Sequence, residues 1–100
     1  MRLTNTAAIA TDQQTVTTSG TPVQLTSRAI PDGASLVVKS MAANSGTITI
    51  GNSSADALNT GSDHFKLSPG QSVSLQVKDA NAIWVDSTVS GDGVEIVTEF

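Results

Sequence analysis

Turn signals recur along this chain about every ten residues, and the apolar residues between them alternate with polar ones. The turns are "SGTP" at 19–22, "PDG" at 31–33, "NSG" at 44–46, "GNSS" at 51–54, "NTGS" at 59–62, "SPG" at 68–70, "DAN" at 79–81 and "SGDG" at 90–93. Runs this short cannot make helices of useful length, whereas period-2 alternation suits strands with one buried face. The composition agrees. Valine supplies 10 residues, and serine and threonine together supply 26. Branched side chains suit a pleated surface, and hydroxyls are tolerated on its wet face.

Strands are expected near 15–18, 22–26, 35–41, 47–50, 64–67, 72–77, 82–86 and 94–99, about eight in all. That number suits an all-β, antiparallel two-sheet sandwich of jelly-roll type. Ile48 and Ile50 are assigned inward, as are Val73, Leu75 and Val77, and Val94, Ile96 and Phe100. In "AIWVDS" either Ile83 and Val85 or Ala82 and Trp84 face in, and the pattern does not choose. "LVV" at 36–38 is apolar on both faces, so its strand is central or has a covered outer face. In "KLSPGQSVSL", Pro69 presets the first central position of a turn and Gly70 accepts a positive φ at the second. Ser68–Gln71 therefore reads as a type II turn, which splays flanking strands and redirects the chain, from one sheet to the other for example.

The first dozen residues lack this alternation. The domain organisation is accordingly an N-terminal arm, residues 1–12, followed by one β-sandwich, residues 13–100. Leu3 and Ile9 are isolated apolar residues in the arm, which makes them the candidates for contact with a partner that orders it.

Charge and chemistry narrow the function. The net charge is -4, no basic cluster occurs, and Phe65, Trp84 and Phe100 are the only aromatics. Nucleic-acid binders carry basic stripes or stacking platforms, so nucleic acid is not an expected partner. The chain has no cysteine, which removes disulfides, thiolate metal sites and a cysteine nucleophile. No secretory signal or membrane-length apolar window is visible, so a soluble product made in the cytoplasm is expected.

His64 stands beside Asp63 and near Lys66, but no nucleophile-elbow context accompanies it, and a polar turn-edge role is the better reading. Asp56, Asp63, Asp86 and Asp92 fall in or near turns without the spacing of a calcium loop, and aspartate is a standard turn former. "GDG" at 91–93 lacks the rest of a phosphate loop. "NSS" at 52–54 matches a glycosylation acceptor, which carries little weight without a secretion signal. Trp84 is a possible sugar platform, although a lone tryptophan in a short strand more often packs in a core. No enzyme activity, cofactor or metal is expected.

Four segments in order, "VTTSGTPVQLTS", "SLVVKSMAANSGTITIGNSS", "FKLSPGQSVSLQV" and "AIWVDSTVSGDGVEIV", resemble small β-modules of tailed-bacteriophage virion proteins. The likeness runs from Thr15 to Phe100 and is greatest to head decoration, or cement, proteins. It implies a compact sandwich on the outer capsid surface of a virion, bound to major capsid protein subunits, often as a homo-trimer, with assembly in the host cytoplasm. Related modules occur in head fibres and tail-associated proteins. A carbohydrate- or receptor-binding module with Trp84 and the loop aspartates in its site is the alternative.

Overall fold

Strict alternation of buried and open positions in the strand Leu36–Ser40 shows how this sequence builds its core. Leu36, Val38 and Ser40 are buried, while Val37 is half-buried and Lys39 exposed. The computed structural model of the protein describes residues 9–58 and 65–99. It contains eight strands: β1 (Ile9–Thr15), β2 (Val23–Gln24), β3 (Leu36–Ser40), β4 (Ile48–Gly51), β5 (Phe65–Leu67), β6 (Ser72–Leu75), β7 (Trp84–Ser87) and β8 (Gly93–Glu99). One short helix, α1 (Ser54–Ala57), follows β4, with Ser53 capping it by accepting from the Asp56 amide.

The strands form two four-stranded antiparallel sheets, ordered β1-β8-β3-β6 and β2-β7-β4-β5. Consecutive strands mostly lie in different sheets, which is the jelly-roll arrangement of a sandwich. The corner at 68–71 makes one of these crossings, from β5 in the second sheet to β6 in the first. Gly70 has φ +85°, and the Gln71 amide donates to the Ser68 carbonyl at 2.9 Å. This is the type II geometry expected of "SPGQ", and it does redirect the chain between sheets.

The core lies between the sheets. Val16, Leu25, Leu36, Val38, Ile48, Val85 and Val94 are almost fully buried, joined by Ile30, Ile50, Leu67, Ile83 and Ile96. Each such side chain contributes roughly 1.5–3 kcal/mol relative to exposure. Val23, Val73, Leu75 and Val77 pack partly against this cluster. The ambiguity in "AIWVDS" resolves toward Ile83 and Val85 inside, because Val85 pairs with Ile50 and Val23. Trp84 is half-buried on the outer face, opposite Gly51 and Gln24. The two-faced "LVV" run belongs to β3, a central strand flanked by β8 and β6.

The arm boundary needs correction. Residues 9–12 are not arm but the first half of β1, paired in unbroken register with β8 from Ile9↔Glu99 to Thr15↔Gly93. The strand expected at 15–18 thus ends at Thr15 instead of beginning there. Its inward residues are Ala10, Asp12 and Gln14, so β1 has no apolar alternation to announce it. The ladder with β8 imposes the conformation. Phe100 and residues 1–8 lie outside the described residues.

Two glycines answer to different constraints. At Gly70 a Cβ would meet nothing within 4 Å, so only the positive φ opposes a side chain. At Gly93 a Cβ would sit 2.6 Å from the Gln14 carbonyl oxygen in the neighbouring strand. Gly70→Ala is expected to cost about 1–2 kcal/mol, the penalty of left-handed backbone. Gly93→Ala should cost more, because β1 must move off β8. Urea unfolding midpoints of the two variants measure the order.

Candidate functional site

Asp86 and Asp92, two of the turn aspartates, are engaged by the fold. Asp92 is buried; its Oδ1 accepts from the Ser45 amide at 3.1 Å, and its Oδ2 from the Gly46 amide at 2.7 Å and the Ser87 hydroxyl at 3.2 Å. Asn44 completes the tie. Its Nδ2 donates to the Gly93 carbonyl at 2.8 Å, and its Oδ1 accepts from the Gly93 amide at 2.9 Å. The β3–β4 and β7–β8 connections are therefore bound together at one end of the sandwich. Asp86, also buried, accepts from the Gly20 and Ser87 amides at 3.1 and 2.8 Å, which draws the β1–β2 connection onto the same end.

Asp56 Oδ2 accepts from the Asn52 amide at 3.0 Å beside α1. Asp63 and His64 lie outside the described residues. Among the described residues, no group of three or more His, Cys, Asp or Glu is placed to hold a metal ion. The tie formed by Asn44 with Gly93 and by Asp92 with Ser45 and Gly46 is not visible in the sequence. Its only trace was the placement of an Asn and an Asp in two separate turns, and nothing local says that those turns meet.

The other end is held by Asp79. Its Oδ1 accepts from the Arg28 and Asn81 amides at 2.8 and 3.0 Å, and its Oδ2 from the Ser27 hydroxyl at 2.9 Å. The Asn81 amide, then the Arg28 amide, hold its carboxyl below the ordinary carboxylate range.

What stays open is the outer face of the first sheet. Ile9, of the two proposed contact residues, begins β1 and is 65% exposed; Leu3 lies outside the described residues. Ile9 shares the outer side of β1 with Thr11 and Gln13, since Ala10 faces in. In register, Thr11 is opposite Val97, which is opposite Val37; Gln13 is opposite Glu95, which is opposite Lys39. These six residues line an open groove of about 550 Å³. Its floor is a valine pair, its next row a carboxylate and an ammonium, and its β1 side Thr11, Gln13 and a second carboxylate-bearing residue, Asp12. Such a lining suits a peptide surface bearing both apolar and charged groups.

A second, smaller opening of about 220 Å³ lies where the edge strands β5 and β6 face each other. It is lined by Ile50, Phe65, Val73, Leu75 and Ile83, and Phe65 is 53% exposed. Ile9 and Phe65 thus belong to opposite edges of the molecule. No family model matches the chain, and neither the curated proteins nor the solved structures compared with it give a match.

The Asp79 geometry carries a pH dependence. Its carboxyl is depressed in the folded protein, so its contribution to stability is complete above the unfolded carboxylate pKa, near pH 4. It is lost as pH falls through the lower folded value, because the unfolded chain then binds the proton more readily. In Asp79→Asn the slope of stability against pH should flatten below about pH 4 relative to the parent. Urea unfolding across an acid series reads this difference.

Proposed function

We propose that this protein is a structural component of a bacteriophage virion that decorates the outer capsid surface and stabilises it by binding major capsid protein subunits. The jelly-roll sandwich agrees with what the motif order from Thr15 to Phe100 implies. The observation that carries the reading is Ile9, a large apolar side chain left 65% exposed at the end of an edge strand and beside an open sheet face. An exposed apolar group beside a polar rim is the ordinary mark of a contact surface.

The mechanism is mass-action linkage. A protein that binds across neighbouring subunits favours only the assembled shell, and the stabilisation grows with its free concentration over its dissociation constant. As a homo-trimer on a symmetric lattice it would add avidity, since the second and third contacts are intramolecular. No covalent staple is required, in keeping with a chain that has no cysteine.

Purified protein added to undecorated, expanded capsids should bind to saturation and raise their melting temperature; no uptake sinks the proposal. Ile9→Ser should weaken uptake by about tenfold, the loss of one buried aliphatic side chain at the contact. Its fold should survive, because Ile9 makes no core contact. A truncation meant to test the arm must stop at residue 8, since removal of residues 9–12 takes half of β1 with it.

The alternative, a glycan-binding module, draws support from Trp84, whose ring lies on the outer face of the second sheet instead of in the core. Glycan-array binding that disappears in Trp84→Ala, with the fold retained, would favour it over capsid decoration. The capsid reading expects no glycan signal from either protein.

A further inference from the structure

Three side chains that the strand register aims into the sandwich are not enclosed by it. Phe65 stands opposite Ile50, Val73 opposite Val38 and Leu75 opposite Leu36, and all three partners belong to the core. Directly opposed residues of an antiparallel pair share one face, so Phe65, Val73 and Leu75 face inward as well. Yet Phe65 is 53% exposed, and Val73 and Leu75 are only half-buried. The cause is the corner at 68–71. It carries the chain from β5 across to β6, so the two edge strands confront each other over the thickness of the sandwich without pairing. The slot of about 220 Å³ is the gap between them, and Ile50 and Ile83 of the core form its floor.

We propose that this slot binds a compact, uncharged apolar molecule the size of one ring, a monocyclic aromatic above all. The lining sets the class. Among the described residues that form it, Asn52 carries the only polar side chain and none is charged. A charged ligand would give up its hydration there without a partner. Water is held poorly too, because it needs roughly two to four polar partners to stay in such a place. The volume sets the size. An apolar cavity of roughly 150 Å³ lined by Leu, Ile and Phe accepts benzene, whereas drug-sized ligands take pockets of about 300 Å³ or more. A ring seated here supplies Phe65, Val73 and Leu75 with the contacts that the facing edge leaves open. The inference is independent of the capsid reading, because Ile9 belongs to the opposite edge of the molecule.

Toluene is the probe. In the full chain with isotope-enriched methyl groups, its titration should shift the signals of Ile50, Val73, Leu75 and Ile83 saturably and with one dissociation constant. The signals of Val16, just after β1, and Val23, in β2, should stay in place, since both lie toward the opposite edges of the sheets. Benzoate, the same ring bearing a carboxylate, should move none of them. Val73→Phe fills the slot from a half-exposed position on an edge strand, and it should abolish the toluene shifts while the Val16 and Val23 signals report an intact fold. The absence of a saturable toluene shift in the parent chain, or an equal response to benzoate, overturns the proposal. So does an undiminished response in folded Val73→Phe. Slot signals that move when the protein alone is diluted would assign the slot to a second copy and overturn occupation by a free molecule.

Discussion

The carboxylate of Asp92 is the interaction on which most of this sandwich depends. Each sheet has a hydrophobic face that would pair readily with many others, but apolar contact has little directional preference. Registration of one sheet over the other needs groups that recognise particular partners. Asp92 takes the amides of Ser45 and Gly46 from the β3–β4 connection and the hydroxyl of Ser87 from β7. It stands immediately before β8, the strand that pairs with both β1 and β3. A buried carboxylate is tolerable only because these donors replace water, and charge-assisted bonds of this kind are stronger than neutral ones. Asn44 and Gly93 repeat the logic with a neutral amide.

This end-locking gives Asp86 and Asp92, which look like ligands in the sequence, a structural use at one end of the sandwich. Their oxygens satisfy backbone donors that the turns would otherwise bury unpaired. Function is thereby displaced from the turns to the faces and edges. Two openings there, the groove over Val37 and Val97 and the slot beside Phe65, are lined mainly by strand residues whose positions the sheets set. A contact surface built on strands in this way loses little conformational entropy when it binds.

Much of the architecture was legible because strand alternation is a local property. The inward sets Ile48/Ile50 and Val94/Ile96 and the redirecting "SPGQ" corner follow from residue spacing or from the positive φ that Gly70 accepts, while for "LVV" the spacing left a central strand and a covered outer face as alternatives. β1 was not legible. Ala10, Asp12 and Gln14 face inward without an apolar period, and the strand exists because β8 offers seven residues of ladder. The candidate contact surface was legible only in part. Ile9 stands out as an apolar residue in a polar context, but its groove is assembled from β1, β8 and β3, which are far apart in the chain.

The amino-acid sequence by itself determined the all-β class, the spacing of the turns and the faces of most strands, because a two-residue period and a glycine's permitted φ act within a few residues. Only the tertiary structure decided which turns meet and which strands become edges. It also chose between Val85 and Trp84 as the inward residue of β7. Those outcomes depend on pairings such as Asp92 with Gly46 and Val85 with Ile50, each set by atoms brought together from distant parts of the chain.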